Sequence, residues 1–392
     1  MKDFIREHIN DDLMRLLLNA KRYPDVDVPF AVEQIAARRQ IKDKLPAWYA
    51  NEYLLFPTKL AAEQCSSELT ARYKQELVGA ADRMYDLTGG LGIDSYYFSR
   101  KAKHLTYIER FPDYCEAARH NFQVLKAENI TVCHAESSTL LPDLPPADVI
   151  YIDPARRGES DKRVYALADC EPNLPKLLEA MFRVAPKVIA KLSPMVDIAH
   201  TISQLSHVRS VHILSVKNEC KELLFVMERD GQTGIEPFVP AYHCVNFNTK
   251  GELSCFSFQP DEEPLASVSY AEDLKTYLYE PNASVLKAGA FRSVALRFGL
   301  LKLHKSSHLY TSDTFVDVFP GRVFRVKDVY PFSGKLCKNI AKEIPQANLT
   351  VRNFPLKVDE LRKRMKIREG GDVYLFATIC SSGEKILISC VK

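Results

Sequence analysis

Across 392 residues the chain lacks several features that would settle its class at once. No uninterrupted apolar run exceeds five residues, whereas a membrane-spanning helix needs roughly 20. The opening Met1-Lys2-Asp3-Phe4-Ile5-Arg6-Glu7 has no apolar stretch followed by small residues, so a secretory leader is not expected. Ten cysteines lie at least ten positions apart. Without a C-x-x-C pair there is no ribbon-type zinc site and no thioredoxin-like motif. Scattered single thiols suit a reducing compartment. A cytoplasmic protein with no membrane or metal partner is expected. Internal repeats and low-complexity tracts are also missing.

What is there reads as soluble and globular: 46% apolar and 26% charged residues, in a chain long enough for two or three domains. The net charge of +3 conceals a segregation. Lysine and arginine balance aspartate and glutamate over residues 1–78; the excess is −6 over 231–280 and +8 over 320–392. A basic end on a neutral body suits an anionic partner such as nucleic acid, although short basic stretches are often solvated helix faces.

Residues 1–78 read as a helical region, with helices over Asp3–Ala20, Pro29–Lys44 and Lys59–Glu76. From 79 to 230 seven β-like runs alternate with helical stretches: Arg83–Leu87, His104–Glu109, Ile130–His134, Asp148–Ile152, Lys187–Lys191, Val208–Val216 and Leu223–Glu228. That alternation predicts a mostly parallel seven-stranded sheet of α/β type, with one of the last two strands antiparallel. Residues 231–320 read as an α/β insert opening with a hairpin at Asn248-Thr249-Lys250-Gly251, and 321–392 as a small α+β module.

The most informative stretch is Tyr85-Asp86-Leu87-Thr88-Gly89-Gly90-Leu91-Gly92-Ile93-Asp94, between the first strand and the first helix of the alternating region. Glycines let the chain turn tightly and let a ligand approach the backbone, and a helix start offers free N–H groups. Glu109, seventeen residues after Gly92, ends the second strand, where a carboxylate can accept hydrogen bonds from both ribose hydroxyls. Asp153, in Asp153-Pro154-Ala155-Arg156-Arg157, sits at the carboxyl end of the fourth strand, where open α/β sheets bind ligands. The bland alternative there is a turn.

Together these residues resemble the class I methyltransferases that use S-adenosylmethionine. Asp86, Gly90 and Gly92 match the family's loop, with Thr88 in place of its usual first glycine. The resemblance implies a Rossmann-like domain, a loop around the methionine part of the cofactor, Glu109 on the ribose and Glu136 near the adenine. Base amino-methyltransferases carry Asp/Asn-Pro-Pro-aromatic after the fourth strand. Here Asp153 stands where the acid holds the amine, and Arg156 replaces the aromatic. Arg156 and Arg157 are candidates to stack on a base or clamp a phosphate. Where related enzymes carry a cysteine near the end of strand five, this chain reads Lys191-Leu192-Ser193-Pro194-Met195. Covalent carbon methylation is therefore not expected, and nitrogen, or else oxygen, is the better acceptor.

The order of helical N-terminus, glycine loop, Asp-Pro-Ala-Arg-Arg and the final segment is similar to a bacterial methyltransferase family ending in a THUMP-like domain. It implies RNA as substrate, tRNA or rRNA; a ferredoxin-like fold is the expectation for the insert. Lys335, Lys338 and Lys342 share one helix face, and Arg362, Lys363, Arg364 and Lys366 cluster on the next helix. Tyr330, Phe332 and Phe354 are candidates for base stacking or for the module's core. Competing readings are a nicotinamide-dependent dehydrogenase, for which Ser95 stands where a third glycine belongs, a catalytically silent RNA-binding protein, and a small-molecule methyltransferase. Two weaker patterns remain. His304 and His308 read as structural, and Glu63-Gln64-Cys65-Ser66-Ser67-Glu68 as a lid over the cofactor or ordinary polar helix surface.

Overall fold

The seven strands expected of the alternating region all form: β1 Ala81–Asp86, β2 Ala102–Glu109, β3 Ile130–His134, β4 Val149–Ile152, β5 Lys187–Leu192, β6 Val208–Val216 and β7 Glu219–Glu228. The computed structural model describes residues 1–156, 167, 170–229 and 239–392. The chain divides into two compact units, Met1–Arg209 with Leu223–Phe238, and Ser210–Glu222 with Val239–Lys392.

In the first unit the strands run in the order β7-β5-β4-β1-β2-β3. The β1–β2, β2–β3, β1–β4 and β4–β5 pairs are parallel, while β7 is antiparallel to β5. The chain steps outward from β1 through β2 to β3, then returns to the other side of β1 to lay down β4. That reversal opens a crevice at the carboxyl ends of β1 and β4, the usual place for a ligand in an open α/β sheet. β4 is buried along its whole length, as an inner parallel strand must be.

The N-terminal region is helical as read, but two of its helices are broken. Asp3–Ala20 divides into Lys2–Glu7 and Leu13–Leu18, because Asp12 accepts the N–H of Arg15 and starts a new helix. Lys59–Glu76 divides into Lys59–Gln64 and Glu68–Val78, because Ser67 caps the second piece by accepting from Thr70. The break brings Cys65 and Ser66 into a turn. The N-terminal helices are part of the first unit's interior: Ala37, Ile41, Trp48, Phe56 and Ala71 share one apolar cluster with Leu91 and Ile93 of the glycine loop.

In the second unit, β6 pairs in parallel with β8 (Ala241–Phe247), which forms a hairpin with β9 (Leu253–Phe258). A separate seven-stranded sheet follows, made of β10 (Tyr277–Pro281), β11 (Leu301–Lys302), β12 (Tyr310–Ser312), β13 (Gly321–Pro331), β14 (Asn348–Val351), β15 (Val373–Ile379) and β16 (Lys385–Val391). Its order is β11-β12-β10-β13-β16-β15-β14. The long β13 pairs with β10 through Gly321–Arg325 and with β16 through Arg325–Pro331. Residues 231–320 therefore contribute strands to two sheets, and the later of these is shared with the C-terminal module.

Candidate active site

The glycine loop is shaped by three different demands on its glycines. Gly90 and Gly92 take positive φ, +54° and +83°, where a side chain is strained. A Cβ on Gly89 would sit 2.1 Å from Cε2 of Tyr107, so the loop packs flat on β2 only because that atom is missing. Tyr107 in turn donates its hydroxyl to the carbonyl of Gly90 at 2.5 Å. Asp86 lies under the loop, buried, accepting the N–H of Thr88 at 3.1 Å and the hydroxyl of Ser95 at 2.5 Å. Burial pushes its carboxyl up to about 7, against those two bonds. Ser95 is thus a buried partner of Asp86, and it fills the place where a dehydrogenase loop needs glycine.

Glu109 is buried at the end of β2 and faces the same loop. One carboxylate oxygen accepts the N–H of Gly90 at 2.9 Å and the other that of Phe111 at 3.0 Å. Each oxygen keeps a further lone pair, so the group can hold the loop and still receive two hydroxyls. Thr88 accepts the backbone N–H of Asp153 at 2.6 Å, tying the end of β4 to the loop after β1.

A cavity of about 210 Å³ lies over this arrangement, lined by Asp86–Asp94, Glu109, Glu136, Tyr151, Asp153 and Glu171 among others. Six of the sequence-predicted site residues, Asp86, Thr88, Gly90, Gly92, Glu109 and Glu136, line it together with Asp153. Glu136 approaches Arg110 at 3.9 Å, and Glu171 approaches the same guanidinium at 3.4 Å. For Arg156 only the backbone is described, in a short antiparallel pairing of Ala155–Arg156 with Cys170–Glu171. Arg157, Lys162, Arg163 and Tyr165 lie outside the described residues. Gln64, Cys65 and Ser66 form part of the wall, whereas Glu68 is buried away from it, accepting from the N–H of Ala47 at 3.1 Å.

Sequence reasoning missed a network that runs from the wall to Lys74 and Lys191 behind it. Asp94 accepts at one oxygen from the hydroxyl of Ser66 (2.8 Å), the ammonium of Lys74 (2.9 Å) and the hydroxyl of Tyr151 (2.8 Å). Lys74 is fully buried. Burial raises the Asp94 carboxyl, but Lys74 and then Lys191 outweigh it and hold the group below its ordinary range. Asp153 forms an ion pair with Lys191 at 2.6 Å; burial nevertheless leaves its carboxyl above the ordinary range. The one available signal was charge in unexpected places, a lysine at the end of buried β5 and another inside an N-terminal helix.

His304 and His308 belong to the second unit and to no metal site. His304 accepts the N–H of Ser306 and meets Asn353 at 2.9 Å, while His308 stacks on Phe291 with centroids 3.6 Å apart. Among the described residues no group of three or more His, Cys, Asp or Glu is placed to hold a metal, and no helix is long and apolar enough to cross a membrane.

The donor set discriminates between ligands. Six carboxylate side chains and one arginine line the cavity among the described residues, a wall that repels a pyrophosphate and suits a sulfonium and an ammonium. The fold, the glycine loop and this acidic cavity define a class I methyltransferase that uses S-adenosylmethionine. Comparison with known proteins agrees. Over 100% of its length the chain matches 97% of a solved structure from Porphyromonas gingivalis W83, described as a "putative methyltransferase", at 37% identity and a TM-score of 0.89. It is 24% identical over 362 residues to an uncharacterised S-adenosylmethionine-dependent methyltransferase of Mycobacterium tuberculosis, covering 91% of this chain and 94% of that one. A 114-residue stretch is 31% identical to an uncharacterised RNA methyltransferase of Clostridium tetani, 28% of this chain and 22% of that one. Residues 277–320 match a ferredoxin-like domain family and residues 321–392 a THUMP domain-like family. The chain belongs to the bacterial methyltransferases that end in a THUMP-like domain.

Proposed function

We propose that this enzyme methylates a base nitrogen of RNA, in tRNA or rRNA, with Asp153 meeting the acceptor. The observation that carries this reading is the Asp153 carboxylate in the cavity wall beside the glycine loop, combined with Leu192 and Ser193 where a nucleophilic thiol would stand. S-adenosylmethionine supplies an already activated methyl group. The chain's own part is to align the acceptor, exclude water and take up a proton. Glu109 would hold the ribose hydroxyls, the glycine loop would wrap the methionine part, and Glu136 would lie near the adenine. Asp153 receives an N–H of the acceptor, and Arg156 and Arg157, whose side chains lie outside the described residues, are the candidates to grip the nucleic acid.

RNA as substrate is supported by the THUMP-like segment, by the names of partial relatives, and by an exposed row of Lys335, Lys338 and Lys342 on one helix. The test is transfer of labelled methyl from the cofactor to total RNA, DNA and small-molecule pools. Label in RNA is expected; label confined to the small-molecule pool would reverse the reading. Asp153→Ala should abolish transfer yet leave affinity for S-adenosylhomocysteine nearly unchanged, because the bond to Thr88 uses the Asp153 backbone. Loss of cofactor binding with the chemistry would reassign Asp153 to the cofactor.

A further inference from the structure

Lys191 meets Asp153 as well as acting on Asp94. It stands at the end of β5, one position before the place where a nucleophile would be needed, and its side chain is 13% exposed. It is not part of the cavity wall. Its ammonium lies 2.6 Å from Oδ2 of Asp153. A lysine in the last turn of a buried parallel strand carries a desolvation cost, so its position calls for a reason. Packing does not supply one, since an aliphatic residue would fill β5 as well.

We infer that Lys191 is a positioning residue that pins Oδ2 of Asp153 and leaves Oδ1 as the one acceptor offered to the methyl-accepting group. This rests on the reading of Asp153 as the group that meets the acceptor, and it narrows that reading to an acceptor that bears an N–H. Among the described residues the Asp153 carboxylate has no hydrogen-bond partner besides Lys191. Free rotation would let either oxygen meet the substrate; the ion pair fixes which. A pinned carboxylate is an acceptor only. It orders an exocyclic amine or a ring N–H, and it repels a carbonyl or phosphate oxygen.

The groups around Asp153 pull in opposite directions. Lys191 and, farther off, Lys74 favour its ionised form, while Asp94 opposes it and burial opposes it most. The Asp153 charge in turn adds to the pressure on Asp86. Removing Lys191 removes the nearer of the two cations, so the carboxyl should keep its proton to higher pH, and in that form it donates instead of accepting.

The experiment follows the Asp153 carboxyl by NMR in protein labelled with carbon-13 at the aspartate side-chain carboxyl, its signal identified by its loss in Asp153→Asn. In Lys191→Met the midpoint should rise by at least one pH unit, and Lys191→Arg should restore it to within half a unit. Both variants should bind S-adenosylhomocysteine within threefold of the parent. A midpoint unmoved in Lys191→Met overturns the inference whatever the substrate proves to be. A Lys191→Met chain that does not fold leaves Lys191→Arg as the judge: failure of the arginine variant to keep the parental midpoint also overturns it. In parallel, nucleosides from labelled total RNA should carry the methyl on nitrogen. Methyl on a ribose oxygen or a ring carbon defeats the N–H acceptor. Absence of label in RNA defeats only the RNA substrate, and the titration still decides the role of Lys191.

Discussion

Buried beneath the glycine loop, Asp86 has a carboxyl pushed up to about 7 by desolvation, and this makes a pH dependence readable at one residue. An acid whose folded value is raised above its unfolded one binds its proton more tightly when folded. Stability therefore falls as pH rises from about 4 through 7 and levels off above. The penalty at pH 8 is roughly 4 kcal/mol. Asp86→Asn should raise the unfolding midpoint at pH 8 and change it little at pH 4. The ionised form favours a cationic ligand, so calorimetry between pH 6 and 8 should find S-adenosylmethionine binding tightening as pH rises in the parent but not in the variant. Glu109 belongs at the same scale. Glu109→Ala leaves the N–H groups of Gly90 and Phe111 without acceptors as well as the ribose hydroxyls. The loss in cofactor affinity should be about 1–3 kcal/mol, measured by titration with S-adenosylhomocysteine.

Among the elements, the loop after β1 and the turn at Cys65–Ser66 act as one device. Ser66, Lys74 and Tyr151 converge on Asp94 in the first turn after the loop. Lys74→Met would leave Asp94 buried without its main counter-charge, and breaking a buried pair in this way costs about 3–5 kcal/mol. A lowered urea midpoint at pH 7, with a smaller loss at pH 3 where Asp94 can be neutral, is the expected signature. A separate steric test is Gly89→Ala. The added carbon meets the Tyr107 ring at 2.1 Å, well inside contact distance. Either the ring or the loop must move, which for overpacking costs about 1–3 kcal/mol, and cofactor binding should weaken with it. Glycine periodicity alone ranks Gly90 and Gly92 as the residues that matter; the close approach of β2 makes Gly89 equally unforgiving.

Across the whole molecule, the charge excess of the C-terminal segment is partly spent internally. Arg362 pairs with Glu369 at 2.6 Å and Arg364 with Glu360 at 2.8 Å. Buried Glu280 takes Arg322 and Arg352. Phe332 and Phe354 meet edge to face at 4.9 Å and pack with Tyr330 against the module's core, so these aromatics hold the module together. Lys335, Lys338 and Lys342 remain exposed. If RNA docks here through four to six phosphates, affinity should fall with salt at a log–log slope of about −3 to −5. Reversing those three lysines to glutamate should flatten the slope and leave S-adenosylhomocysteine binding unchanged, as nitrocellulose filter binding and calorimetry would read. Deleting 321–392 is a poorer test, because β13 pairs along one side with β10 and its removal strips that strand of a partner.

Local pattern was enough to mark the strands of the catalytic sheet, the glycine loop and the acids at the ends of β1, β2 and β4. Those features are local: a two-residue alternation, a turn that needs positive φ, and a carboxylate at a strand end each leave a mark within a few positions. It also marked two helices in the C-terminal module, which form over Gly334–Glu343 and Val358–Met365. The ion pairs that support the site were legible in the folded chain alone. Lys74 and Asp94 are 20 positions apart, and Lys191 and Asp153 are 38 apart. Nothing in the local pattern says which cation will be folded against which acid. The same holds for β13, whose pairing with both β10 and β16 depends on strands distant in the chain. The break at Cys65–Ser66 was marked only by the capping serine, and its consequence, a turn forming one wall of the cavity, required the packing of Ala37, Trp48 and Leu91 into one core. Backbone propensity acts over a few residues; charge pairing and close packing act through space, and they chose the partners.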